Sequence, residues 1–405
     1  MRILHVIRTL NPSWGGPVEV VWNLVNASTS RGHTSCVVCL DIPNESWIPS
    51  GDQRITALGP VFGRSPKLRE YGFSRRLDEW LVANLPSFDA VVVHGIWLYF
   101  SHAVWKAARH GTVPYYLFIH GALDPWFRRT YPLKHLKKIV YWSAIEHRVL
   151  RDADAVLFTT EEERKLADRA FYPYRCNPRV VGLGIASPPE ADHPGTQPGC
   201  MPRNQCPPFL GGRRYFLFLA RIHRKKGLDI ALKAFASTVR DFPDTTFVVA
   251  GPGNAELLGH MRELASTLRI EEKVMWAGPL YGAAKWNAIL GADFYILPSH
   301  QENFGVSVVE ALACGVPVMI SDKVNIWREI LAEQAGLVAP DDVPGTISML
   351  QRWAVLSVRE RSDMAQNARR CFERHFDLGV TSGRFFSVIE NSPVSTSGIQ
   401  VPVQY

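Results

Sequence analysis

The 405-residue chain lacks any run of about 18 consecutive apolar residues, so it offers no membrane-spanning helix. The opening ILHVI is too short for the core of a signal peptide and reads as a buried first strand. Seven cysteines, an odd number without framework spacing, exclude a disulfide scaffold and fit a reducing, cytoplasmic setting. Cys36 and Cys39 form a C-x-x-C, but inside the strand-like TSCVVCLD. With no second pair and no following helix, neither metal nor redox use is expected there. The common catalytic signatures are absent as well: no G-x-x-x-x-G-K-[ST], no G-x-G-x-x-G, no G-x-S-x-G and no H-E-x-x-H occurs. Asp152-Ala153-Asp154 is formally a D-x-D, yet it lies where a helix meets the strand AVLFTT and reads as a helix terminus.

What is present describes a soluble globular chain, 46% apolar and 20% charged, long enough for two domains. A net charge of +7 suggests an anionic partner. Nucleic acid is not expected, because no RRM, KH or helix-turn-helix pattern occurs and the cations cluster at strand ends. Short Val/Ile/Leu-rich runs alternate with helical stretches: RILHVI, SCVVCL, DAVVVH, YYLFIHG and AVLFTT in the first half, then RYFLFLAR, TFVVAGPG, KVMWAG, DFYILPS and PVMISD. Such alternation implies parallel sheets covered by helices on both faces. Between the halves, residues 187–212 carry seven prolines and four glycines without periodicity, and read as a linker or surface insertion. The expected fold is α/β, with two doubly wound Rossmann-like domains facing a central cleft, where a ligand would meet the carboxyl ends of the strands. The boundaries are 1–186 for the first domain, 213–375 for the second, and 376–405 for a C-terminal segment that packs back on the first and ends in a tail.

Three glycine-bearing loops follow strands and precede helices. Gly15 and Gly16 offer amides to an anion at a helix start. In ARIHRKKG, Arg221 and Lys226 stand five residues apart on a loop entering a helix, a pocket for a diphosphate that needs no metal. In SHQENFGVSVVEALACGVPVM, Gly305 lets helix-start amides approach a ligand. Glu302 stands at the mouth of that helix and Glu310 inside it, among Val, Ala and Leu, although carboxylates are seldom buried without a partner. Gly251-Pro252-Gly253 after TFVVA is a further, weaker phosphate candidate.

ARIHRKKG, AGPG and ILPSHQENFGVSVVEALACGVPV together resemble the donor domain of retaining, GT-B-fold glycosyltransferases of family GT4. Glu302 and Glu310 match that family's E-x7-E element. The Gly15-Gly16 and His120-Gly121 loops resemble its N-domain motifs, so the similarity covers nearly the whole chain. HGALDPW and TTEEER look like members that build bacterial polysaccharides. The resemblance implies transfer of a sugar from a UDP- or GDP-sugar to a glycan or lipid-linked acceptor, with retention and with neither cofactor nor metal. It implies that Glu310 accepts from the donor ribose hydroxyls and that Glu302 contacts the transferred sugar, helped by backbone amides around Asn303, Phe304 and Gly305. Arg221 and Lys226 match the pair that holds the diphosphate, and His120 a histidine near the transferred sugar and acceptor. A GT-B epimerase or phosphorylase, or an inactive nucleotide- or glycan-binding protein, are the competing readings.

The acceptor side is read from a helical wheel over 134–150. Lys134, Lys137, Lys138, Tyr141 and Arg148 gather on one face, with Leu136, Ile139, Val140 and Leu150 opposite. With Trp126, Phe127, Arg128 and Arg129 just upstream, this is a candidate peripheral contact with an anionic membrane.

Overall fold

A computed structural model describes residues 1–61, 70–109, 111–126, 128, 132–188 and 213–391. Nearly all of the 187–212 segment, Phe127, Arg129 and the tail from 392 lie outside the described residues. The chain divides into two compact units, Met1–Leu183 with the stretch from Thr381 on, and Gly184–Val380.

The first unit holds β1 (Arg2–Ile7), β2 (Thr34–Cys39), β3 (Ile55–Ala57), β4 (Ala90–His94), β5 (Tyr115–Phe118), β6 (Ala155–Phe158) and β7 (Pro178–Val180). They form one sheet in the order β3-β2-β1-β4-β5-β6-β7, with parallel pairings throughout. The second holds β8 (Arg214–Leu219), β9 (Thr245–Ala250), β10 (Val274–Gly278), β11 (Tyr295–Leu297), β12 (Val318–Ser321) and β13 (Gly336–Ala339), in the order β10-β9-β8-β11-β12-β13. Both are doubly wound parallel sheets. The central strands read as apolar runs because helices cover both faces: every residue of β4, β5 and β9 is buried. The edge strands β3 and β13 are short and largely half-buried. They lack the long Val/Ile run that marks an internal strand, and sequence reasoning missed them.

On one face of the first sheet, Val20 and Leu24 of the helix Gly16–Thr29 pack beside Phe385, Phe386 and Ile389 of the C-terminal helix Leu378–Glu390, against Val92, Tyr116 and Phe118. Each aromatic buried there contributes roughly 1.5–3 kcal/mol relative to exposure. Among the described residues no helix is long and apolar enough to cross a membrane.

The wheel over 134–150 is corrected. The segment is an α-helix (Pro132–Tyr141), a π-helical turn (Trp142–Glu146) and another α-helix (His147–Arg151). The π turn shifts the phase of the helix, so one 100° wheel cannot span it. Trp142, Glu146, Val149 and Leu150 point inward, and Lys138 sits half-buried, its Nζ 4.4 Å from the centroid of the Trp97 ring. Leu136, Ile139 and Val140 are instead exposed, at 61%, 39% and 67%, beside the exposed Lys134 and Lys137. The outer face is thus both apolar and basic.

Candidate active site

In the second unit the candidate residues lie on loops at the carboxyl ends of β8, β9 and β11. After β8 the chain turns through Arg221, which is exposed, into a short 3-10 turn Arg224–Lys226 capped by His223. That loop is bound to the one after β11: the His300 amide and the Ser299 hydroxyl both donate to the Lys225 carbonyl, at 2.8 and 2.9 Å. The clamp brings Lys226 to Glu302, whose carboxylate accepts from Nζ, each side chain 18% exposed. The Glu302 backbone is itself held, its amide donating to Lys323 O and its carbonyl accepting from the Asn325 amide. Arg221 makes no ion pair among the described residues, so it does not share this contact.

The helix Val306–Ala313 starts at Gly305, whose φ of 76° places it in the left-handed region that glycine favours. No side chain caps that end, while Arg369 donates to Ala313 O at the other, 2.5 Å away. Phe304 is buried against Phe376, ring centroids 5.7 Å apart, and anchors the loop through its side chain. Asn303 accepts from Asn325 at 3.5 Å. Glu310 is buried, 7% exposed, and Lys285 donates to its Oε1 at 2.5 Å. This answers why a carboxylate sits among Val, Ala and Leu: it has an ammonium partner from the helix Gly282–Leu290. Lys285 went unnoticed in the sequence, because it lies 25 residues from Glu310 in no recognisable motif. Burial holds the Tyr295 hydroxyl well above the usual phenol range; its hydrogen bond with Ser307 opposes this, and the Glu302 and Glu310 charges add smaller upward pushes.

Gly251 and Gly253 border a cavity of about 230 Å³ shared with Ile222, Arg262, Trp276 and Gly278. Gly251 is required for chain packing: a Cβ there would lie 1.9 Å from Ala220 O. Its role as a phosphate cradle therefore has a competing structural explanation.

In the first unit Gly15 donates its amide to Pro12 O at 3.0 Å, and Gly16 starts the helix. The Gly15 amide is thus already used within its own loop, and Pro17 adds none. His120 follows β5 with a φ of 49°, unusual for a residue with a side chain. Its ring stacks on Phe118 at 4.5 Å and 3°, and its Nε2 lies 3.3 Å from His94 Nδ1. His94 Nε2 in turn lies 3.0 Å from His5 Nδ1. Burial depresses all of these rings, His5 and His120 to about 3 and His94 well below 6.5. The next residue is pinned too: the Gly121 amide donates to Glu163 Oε1 at 2.5 Å, while Oε2 accepts from the Thr159 amide and hydroxyl, both at 2.6 Å. This gives TTEEER a physical meaning, since Thr160 caps the helix Glu161–Ala167 and turns Glu163 toward the His120 loop.

Asp152 and Asp154 serve local ends. Asp152 accepts from Trp105 Nε1 at 2.9 Å and Asp154 from the Tyr115 amide at 3.0 Å. Glu146, on the π turn, is fully buried, and burial pushes its carboxyl up to about 8. No sequence signal marked it.

Two parallel sheets of this winding, with cations and carboxylates at strand ends of the second, define a two-unit doubly wound α/β fold. Residues 15–184 match the family profile of a glycosyl transferase 4-like domain, and residues 207–371 that of glycosyl transferases group 1. The chain belongs to the GT-B-fold glycosyltransferases of family GT4. It is 32% identical over 200 residues to a phosphatidyl-myo-inositol mannosyltransferase of Mycobacterium tuberculosis, covering 46% of this chain and 49% of that protein. In matches of that kind the chain spans about half the length of the curated relative or less. It is 24% identical over 391 residues to a GDP-mannose:cellobiosyl-diphosphopolyprenol alpha-mannosyltransferase of Xanthomonas oryzae pv. oryzae, covering 95% of both. Sucrose-phosphate synthase from Thermosynechococcus elongatus shares the fold, with a TM-score of 0.73 at 18% identity over 96% of this chain and 98% of that one.

Proposed function

We propose that the protein transfers a sugar from a nucleotide diphosphate to a hydroxyl of a glycan or lipid-linked acceptor, retaining the anomeric configuration. The carrying observation is the pairing of Lys226 with Glu302 ahead of the uncapped start of the helix Val306–Ala313, and of Lys285 with Glu310 inside that helix. In this reading Arg221 and Lys226 bind the diphosphate. As the bond from the anomeric carbon to the leaving oxygen breaks, negative charge grows on that phosphate, where fixed cations stabilise it. Lys226 turning to phosphate frees Glu302 to accept from sugar hydroxyls. The acceptor hydroxyl attacks from the face that the diphosphate leaves, and its proton passes to the departing phosphate oxygen, so configuration is kept without a covalent intermediate. Glu310 accepts from the vicinal ribose hydroxyls.

UDP and GDP donors both fit this chemistry, and thermal-shift screening with UDP, GDP, ADP and their sugars separates them. Product analysis by NMR then tests the rest: a product keeping the donor's anomeric configuration is expected, while inversion, epimerised donor or phosphorolysis would overturn the reading. Transfer is also expected to survive EDTA, because Arg221 and Lys226 supply the positive charge. Loss of activity restored by magnesium or manganese would sink the metal-free route.

A lipid-linked acceptor is favoured by the full-length similarity to a relative named for a diphosphopolyprenol substrate, and by the exposed Leu136, Ile139 and Val140 beside Lys134 and Lys137. This face would dock on the inner surface of an anionic membrane. Wild type is expected to sediment with anionic liposomes, less so as salt rises, and a Leu136→Glu/Val140→Glu variant to remain in solution. Equal sedimentation of the two would remove the membrane from the proposal.

A further inference from the structure

Four polar side chains cross the first sheet in a line: Ser35 on β2, His5 on β1, His94 at the end of β4 and His120 just past β5, on neighbouring strands. The register explains the line. Ser35 stands opposite Ile3, His94 opposite Ile7, and Phe118 opposite His94. Each step therefore climbs two residues toward the carboxyl ends, which keeps all four side chains on one face of the sheet. Contacts of 3.3, 3.0 and 3.3 Å join Ser35 Oγ to His5 Nε2, His5 Nδ1 to His94 Nε2, and His94 Nδ1 to His120 Nε2.

Each nitrogen–nitrogen contact holds one proton, because a donor must face a bare nitrogen. Burial keeps the three rings neutral. A neutral ring protonated on one nitrogen is bare on the other, so the three tautomers are tied: all carry the proton on Nδ1, or all on Nε2. Ser35 decides which. It is 3% exposed, and His5 Nε2 is the one hydrogen-bond partner of its hydroxyl among the described residues. Were the hydroxyl to accept there, its own proton would be buried without an acceptor, which is disfavoured. It donates instead; His5 Nδ1–H then donates to His94 Nε2, and His94 Nδ1–H to His120 Nε2.

We infer that this chain holds His120 as the Nδ1–H tautomer, so that its remaining nitrogen is a fixed hydrogen-bond donor to an oxygen of the sugar or acceptor and not a base for the acceptor proton. The inference rests on the proposed transfer reaction and on His120 lying near the transferred sugar and acceptor, as the family resemblance implies. It agrees with the departing phosphate oxygen as proton acceptor, and makes Ser35, His5 and His94 positioning residues.

Long-range proton–nitrogen NMR of the full chain, labelled at histidine nitrogens, reads each ring without ligand or turnover. His5, His94 and His120 are expected to show protonated Nδ1 and bare Nε2 at pH 7. Any of the three as Nε2–H or as imidazolium overturns the inference. Ser35→Ala removes the deciding proton, so His120 is expected to become a mixture of tautomers although Ser35 lies three strands away. An unchanged His120 in that variant overturns the part given to Ser35. Full transfer activity of His120→Ala, beside the expected spectra in wild type, overturns the donor role. Because no substrate enters the spectra, failure of the transfer reaction shows separately, in the product assay.

Discussion

Replacing Lys226 with alanine is expected to slow sugar transfer by roughly 10²-fold or more, the usual cost of removing one charged contact to a developing anion. The loss should fall on kcat more than on KM, since the contact strengthens as the leaving group separates. Stability should change little. Although Lys226 and Glu302 are paired and each 18% exposed, both lie on loops whose backbones are held by other bonds, including Ser299 and His300 to Lys225 O and Glu302 to the 323–325 turn. A thermal melt near wild type with transfer reduced about a hundredfold supports the assignment. Near-normal kcat in a folded variant would show that the Lys226–Glu302 pair is only a structural clasp. Lys226→Arg tests the chemistry further. It keeps the charge but not the compact ammonium, so partial recovery is expected.

Replacing Glu310 with glutamine is expected to weaken nucleotide binding by about ten- to a hundredfold. The change keeps size and one acceptor oxygen, but hydrogen bonds to a charged acceptor are worth about 1.5–3 kcal/mol. Lys285 adjusts the expectation for the empty protein. With its Nζ 2.5 Å from Glu310 Oε1, loss of the carboxylate leaves an ammonium facing a weaker acceptor, so the variant should melt somewhat below wild type. Stability alone therefore does not separate a ribose-binding Glu310 from a purely structural one, whereas ligand discrimination does. Calorimetry with the nucleotide and its 2′,3′-dideoxy analogue should show wild type preferring the intact ribose and Glu310→Gln losing most of that preference. Equal binding of the two analogues by wild type would remove Glu310 from the ribose, and the E-x7-E reading with it.

The elements that were legible in the sequence are those built from neighbouring residues. RYFLFL, TFVVAG and DAVVVH are internal parallel strands because a buried strand needs a continuous apolar run. Gly227 and Gly305 appear where a strand-end loop enters a helix in the left-handed conformation. The spacing of Glu302 and Glu310 across one helix start is likewise a local matter. The edge strands β3 and β13 escape such reading because they are short and bury too little to leave a pattern, whereas the longer edge strand β10 was legible as KVMWAG. The helix face at 132–151 escaped it because a π turn breaks the helical period that the wheel assumes.

By itself the sequence determined the two α/β series, the loops that carry Arg221, Lys226, Glu302 and His120, and the helix that carries Glu310. Only the tertiary structure decided who faces whom. Lys285 meets Glu310 across 25 residues, Lys226 meets Glu302 across 76, and Glu163 reaches Gly121 across 42. His5 reaches His94 across 89. Periodicity reports which face of an element is apolar, but the pairing of distant polar groups is set by parallel strand order and register. These align residues from strands far apart in the chain, and no local pattern encodes that alignment.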